Sequence, residues 1–253
     1  MQQKQILIDW QIITYLVSTD FDKNNAILFL HGRWHDKYSF QNILKFCEDE
    51  KQSFLSIDFP WFGQSPQPKT DWHISDYAKL VKDFLSKLSI DKINIVAHSF
   101  GGRVAIYLTA QNMFKISKLI LIASWGIKPK TNHLRLFIIK FFKTFSQILP
   151  KSLQQVLQSK VRSIDYQSAG WMSQIFLNTI NLDLAPILHK IRVPTKLIWG
   201  TDDDQTPIND AYTMYRGIAN SKLFVIEWWS HYIHMEKPEL VRKETKKFLS
   251  ENN

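Results

Sequence analysis

The chain has 253 residues, 45% hydrophobic and 22% charged, a globular composition that excludes disordered, collagen-like and low-complexity architectures. Lys and Arg number 32 against 23 Asp and Glu, and the resulting net charge of +9 raises the question of an anionic partner. One cysteine, Cys47, excludes an internal disulfide and a four-cysteine zinc site.

Residues 6–10 and 11–18 predict an opening pair of strands, antiparallel to each other. The apolar run at its start is too short for a signal-peptide core, and no small-residue cleavage site follows it. Short unbroken apolar runs then recur at 26–30, 54–57, 93–97, 119–123, 195–199 and 223–226. Such runs predict strands buried on both faces, as in a parallel sheet. Helix-period segments lie between them. In 74–88, Tyr77, Leu80, Val81, Phe84, Leu85 and Leu88 share one face, and 40–50, 104–113 and 241–249 are further helices. Cys47 falls in the first of these and is expected to be a buried structural thiol. Strands alternating with helices predict right-handed crossovers and helices on both sides of one sheet.

Residues 124–186 break the alternation. They contain no strand-like run, but three helix-like stretches at 134–149, 153–159 and 168–180. The aromatics Phe137, Phe141, Phe142, Phe145, Trp171 and Phe176 mark this stretch as a folded insertion, since a solvated linker does not carry that much apolar surface. The chain therefore reads as a core of 1–123 and 187–253 with a helical cap at 124–186. The 134–149 stretch is interrupted by Arg135, Lys140, Lys143, Ser146 and Gln147. It falls short of the ~20 apolar residues of a spanning helix. A cytoplasmic location is the expectation.

Residues 93–102 read Ile-Asn-Ile-Val-Ala-His-Ser-Phe-Gly-Gly. A strand runs into Ser99 and a helix follows it, a turn that holds a serine hydroxyl above the sheet. Ala97 and Gly101, two residues to either side, are small where backbones approach closely. The helix N-terminus offers unpaired N–H groups and a positive dipole end to a developing oxyanion. This segment resembles the nucleophile turn of the α/β-hydrolase superfamily, near its small cap-bearing, esterase-like members. The family pattern is Gly-x-Ser-x-Gly, with Ala97 here at the first place. Serine at 99 sets the chain apart from the haloalkane dehalogenases and epoxide hydrolases of that fold, which use aspartate.

The resemblance extends to three more segments. The family's Trp-Gly-x-x-Asp-x-x-x-Pro falls on Trp199, Gly200, Asp203 and Pro207, which implies Asp203 as the acid, with Asp202 and Asp204 as competitors. Gly-His-x-x-x-x-Glu-x-Pro falls on His231, Glu236 and Pro238, with Ser230 in place of the glycine. This implies His231 as the base and leaves His234 structural or at a pocket rim. His31-Gly32-Arg33-Trp34 resembles the turn that supplies an oxyanion-hole N–H. The hole would then be made by the backbone N–H groups of Arg33 and Phe100. Trp34 either narrows the pocket mouth or packs under the cap. Asp58, Gly63 and Ser65 match a loop whose usual job is to brace the active-site floor.

These residues imply an acyl-transfer enzyme: a hydrolase of carboxylic esters with short to medium acyl groups, needing no metal and no organic cofactor. Phe137, Phe141, Trp171 and Trp34 are candidate substrate contacts. A lactonase, a thioesterase or a carbon–carbon bond hydrolase would use the same triad, and fold alone does not separate them. A non-catalytic binding protein of this fold is the alternative outside enzymes. Residues 124–186 hold eight basic and two acidic residues, a net +6 of the chain's +9. No nucleic-acid motif accompanies them, so the expected partner is a small-molecule ester or lactone. The basic cap reads as a solvated outer face. The alternatives are attraction of anionic substrates, or a weak contact of the 134–149 helix with an anionic membrane surface. The oligomeric state is open.

Overall fold

The apolar runs form one sheet. The computed structural model describes residues 1–128, 178–179 and 181–251. Its eight strands are β1 (Gln2–Ile8), β2 (Gln11–Val17), β3 (Ala26–Leu30), β4 (Ser53–Ile57), β5 (Ile93–His98), β6 (Ile116–Ile122), β7 (Thr195–Gly200) and β8 (Ser221–Ile226). They lie in the order β1-β2-β4-β3-β5-β6-β7-β8. β1 and β2 pair antiparallel, as does β2 with β4, and every other pairing is parallel. The tight β1–β2 turn places both Asp9 and Trp10 in the left-handed region, at φ 42° and 66°. This is the geometry that lets a two-residue loop follow the strand twist.

β3, β4 and β7 are buried along their whole length, as expected of strands covered on both faces. The 223–226 run departs from that expectation. β8 is only half-buried, because it is the last strand of the sheet and has a neighbour on one side alone.

Helices cover both faces. α1 (Gln41–Asp49) packs on the C-terminal helix Pro238–Ser250. Ile43, Leu44 and Cys47 join Val241 and Phe248 against Ile27, Phe29, Phe54, Val96, Ile120 and Ile198 of the sheet. Side chains alternate along each strand, so neighbours such as Leu28, Leu55 and Ile95 point the other way. α2 (Ile74–Lys87) and α3 (Ser99–Ala110) pack together there, burying Tyr77, Val81, Phe84, Val104 and Leu108. Each such buried side chain is worth about 1.5–3 kcal/mol. A helix not foreseen from the sequence, α4 (Ile208–Gly217), starts after Pro207 and buries Ala211 and Met214. A one-turn α5 (Ile233–Glu236) leads into the C-terminal helix, α6.

The chain divides into two compact units, Met1–Ile127 with Asp183–Asn253, and Lys128–Leu182. Residues 124–127 and 183–186, expected in the insertion, belong to the first unit. The N–H of Trp125 donates to the Ser99 carbonyl at 3.1 Å, and that of Leu184 to the Gly126 carbonyl at 2.9 Å. Among the described residues no helix is long and apolar enough to cross a membrane.

Candidate active site

Parallel strands bring their carboxyl ends to one edge of a sheet, and in α/β proteins ligands bind there. Ser99 stands at that edge, where β5 ends and α3 begins. Its φ of 49° lies in the left-handed region, which costs a non-glycine residue about 1–2 kcal/mol. The surrounding backbone holds it there. The N–H of Gly101 donates to the His31 carbonyl at 3.0 Å, and a Cβ at Gly101 would meet the Leu30 carbonyl oxygen at 2.4 Å. Glycine is therefore required two residues after Ser99. Ala97, two residues before it, is fully buried and has no left-handed φ, so alanine fits where the resembled pattern has glycine.

His231 lies beyond β8 and Asp203 beyond β7, and both are buried. The imidazole Nε2 is 2.9 Å from Ser99 Oγ, and Nδ1 is 2.9 Å from Asp203 Oδ2. A carboxylate can only accept, so Nδ1 carries the ring proton and Nε2 presents a lone pair to the serine hydroxyl. Asp203 is fixed from its own side of the loop. Its Oδ1 accepts from the backbone N–H groups of Gln205 at 2.9 Å and Thr206 at 2.7 Å, and its Oδ2 from the Thr206 hydroxyl at 2.6 Å. Thr206 is anchored in turn, its carbonyl accepting from Trp199 Nε1 at 2.7 Å. Asp202 and Asp204, the competitors, are exposed. Nearby Asp210 is pushed up to about 6, by burial first and by the charges of Asp203 and Asp183 next.

Ser230 has no left-handed φ, so its position does not demand glycine. Its hydroxyl donates to Glu236 Oε1 at 2.7 Å and accepts from the Tyr232 N–H at 3.2 Å, which ties the His231 turn to α5.

The loop after β3 faces the same strand ends. Gly32 and His35 close a turn, N–H of His35 to the Gly32 carbonyl at 3.3 Å, with Arg33 and Trp34 at its tip. The Arg33 guanidinium lies 5.3 Å from the Trp125 ring centroid and 5.6 Å from that of Trp34. Trp34 has φ 63° and is 47% exposed. Phe100 is in the first turn of α3, where N–H groups have no intrahelical acceptor.

Beneath this loop His31 is fully buried. Its Nε2 accepts from the Phe59 N–H at 3.0 Å, so Nδ1 is the nitrogen that donates to the Gly32 carbonyl at 2.7 Å. Burial pushes its pKa down to about 4. Asp58 also has no exposure. Its Oδ2 pairs with Lys37 Nζ and accepts from the Gln64 N–H, both at 2.8 Å, while Oδ1 accepts from the Lys37 N–H at 2.6 Å. The Asp58 loop thus braces the β3 loop through an ion pair sealed from water. Lys37 and Thr206 were not singled out from sequence. For Thr206 the signal is an aspartate at the head of a polar turn, a residue whose carboxylate bonds backbone N–H groups a few places on, here those of Gln205 and Thr206.

Phe137, Phe141 and Trp171 lie outside the described residues. No group of three or more His, Cys, Asp and Glu is arranged to hold a metal among the described ones. The Cys47 thiol sits away from this edge, against α6, and burial pushes it up to about 12.

A family model of the alpha/beta hydrolase fold matches residues 25–165, more than half of the chain. The chain belongs to the α/β-hydrolase family. It is 25% identical over 245 residues to an uncharacterized hydrolase, YugF, of Bacillus subtilis, covering 88% of this chain and 89% of that one. It is also 24% identical over 255 residues to the human monoacylglycerol lipase ABHD6, with 89% and 75% of the two chains covered. Among solved structures, MGS-M2, an alpha/beta hydrolase enzyme from a deep-sea metagenome library, superposes with a TM-score of 0.78 over 99% of this chain and 98% of that one, at 18% identity. The relatives' names agree with the family on the activity class, hydrolase.

Proposed function

We propose that this α/β hydrolase cleaves carboxylic esters of short to medium acyl groups through an acyl-enzyme on Ser99. The reading rests on one observation above the others, the unbroken hydrogen-bond chain from Ser99 Oγ through His231 to Asp203. In that arrangement Ser99 Oγ attacks the ester carbonyl carbon while His231 Nε2 takes its proton. Asp203, held by three donors besides the imidazole, keeps Nδ1 protonated and stabilises the imidazolium. The N–H groups of Phe100 and Arg33 receive the oxyanion, and loss of one such donor typically costs about 3 kcal/mol of transition-state stabilisation. His231 then returns its proton to the departing alkoxide. Water, deprotonated by the same nitrogen, releases the acid and restores Ser99.

The test is a panel of p-nitrophenyl esters of graded chain length, with lactones and thioesters beside them, on the wild type and on Ser99→Ala. Turnover of the shorter esters, lost in Ser99→Ala, is the expected result. Activity confined to lactones or thioesters would assign another acyl substrate to the same residues. Equal turnover by both proteins would remove the reading.

A further inference from the structure

Three histidines beside His231 do no work in that mechanism. His98 immediately precedes Ser99, at the end of β5, and is 1% exposed. Its Nε2 is 3.0 Å from the main-chain carbonyl oxygen of His231. A carbonyl only accepts, so Nε2 is the protonated nitrogen of His98 and Nδ1 is bare. That Nδ1 is buried and has no hydrogen-bond partner among the described residues. It lies against Gly32, where a Cβ would stand 2.6 Å away. The glycine of the β3 loop thus makes room for this ring. On the other side the ring of His234, also 1% exposed, stacks at 4.0 Å between centroids with a 38° tilt. His234 Nε2 is 3.0 Å from Ser39 Oγ, which ties the stack to the residues leading into α1. The His231 ring itself is 4.7 Å from that of His98, and His35 lies 6.3 Å from it.

We infer that His98 is a positioning residue for the base: its Nε2–H holds the His231 main chain, and the His98–His234 stack holds His98. The inference rests on the reading of His231 as the base. Its physical content is that His231 is gripped from two sides. Asp203 fixes the ring through Nδ1, and His98 fixes the backbone from which the ring hangs. An error of 1 Å in placing a reacting group can cost about 100-fold in rate, so a backbone anchor one residue from the nucleophile matters to the chemistry. The groups facing His98 are His231, His234 and His35, all imidazoles, with the Tyr232 ring at 6.1 Å. Burial first, and those neighbours next, hold His98 and His234 neutral. The stack therefore adds no positive charge beside His231 when that ring becomes an imidazolium.

The test uses His98→Phe, which keeps a ring and removes the N–H, and His98→Gln, whose amide places an N–H close to where Nε2 stood. Activity is followed with a p-nitrophenyl ester across pH, with Ser99→Ala as control. The expected result for His98→Phe is a fall in kcat of about 10- to 100-fold with KM little changed. The acid limb of its pH profile should move to lower pH, because a loosened imidazolium pairs less well with Asp203. His98→Gln should recover part of both. Should His98→Phe fail to fold, His98→Asn, with its amide at the place of Nδ1, carries the same expectation. A wild-type kcat in His98→Phe or in His98→Asn overturns the inference. So does a fall in kcat that tracks lost thermal stability with the acid limb unmoved and no rescue by glutamine. If Ser99→Ala retains turnover, the serine-hydrolase reading fails instead, whatever the His98 variants do.

Discussion

Asp203 receives four hydrogen bonds, from two backbone N–H groups, the Thr206 hydroxyl and the His231 imidazole. Replacing it by asparagine keeps the shape and lets a side-chain amide face Nδ1. The ring would then turn to the wrong tautomer, and kcat is expected to fall by about 10,000-fold with KM little altered, measured by steady-state ester hydrolysis. Thr206→Val removes one donor of the four, and its loss should be far smaller. Cys47 tests burial at the same scale. With its thiol pushed up to about 12, iodoacetamide at pH 8 should label it slowly in the folded protein and at the rate of a free thiol in denaturant. The strand ends that carry Ser99, Asp203 and His231 were legible because each follows a short apolar run, whereas the choice of Asp203 over Asp202 and Asp204, and of His231, came from the resemblance to the family's patterns. His98, His234 and Lys37 were not legible in their roles. Each is defined by a partner far away in the chain, and no local spacing encodes the ring stack or the ion pair.

The strand-end loops depend on one another through few, buried contacts. The Lys37–Asp58 pair joins the loop after β3 to the loop after β4, with side-chain exposures of 1% and 0%. Asp58→Ala leaves the Lys37 charge buried without its carboxylate, a change that typically costs about 3–5 kcal/mol. The urea midpoint is expected to fall accordingly, and activity at low temperature to fall as well, since His31 and Gly32 sit on the loop that is released. Most elements were readable from apolar periodicity, down to the β1–β2 hairpin. Two were not. α4 has a short apolar face, Ala211 and Met214, too little for its period to stand out. β8 reads as a buried run although it lies at the sheet edge, because a run of Leu, Phe, Val and Ile does not say which strand comes last.

At the scale of the whole molecule, three imidazoles among the described residues are built into the interior in the neutral form. Burial holds His31 at about 4, and His98 and His234 are also lowered from the usual 6.5. In the unfolded chain all three titrate near 6.5, so below that pH the unfolded state binds more protons than the folded one. Stability should therefore fall as the pH drops through 6.5 toward 4, with Asp210, pushed up to about 6, offsetting part of the loss because the folded state holds its proton more tightly than the unfolded chain. His31 alone removes about 3 kcal/mol across that window. Urea midpoints measured from pH 8 to pH 4.5 on the wild type and on Asp210→Asn check this, and a midpoint unchanged to pH 4.5 in Asp210→Asn would show that the three rings are not neutral in the fold. The central claim concerns Ser99, and a fluorophosphonate probe tests it most directly. The expected result is one adduct per chain, mapped by peptide mass spectrometry to Ser99, with ester turnover lost in proportion to labelling and no adduct on Ser99→Ala. Labelling at another residue, or full ester turnover by the fully labelled protein, would contradict the account.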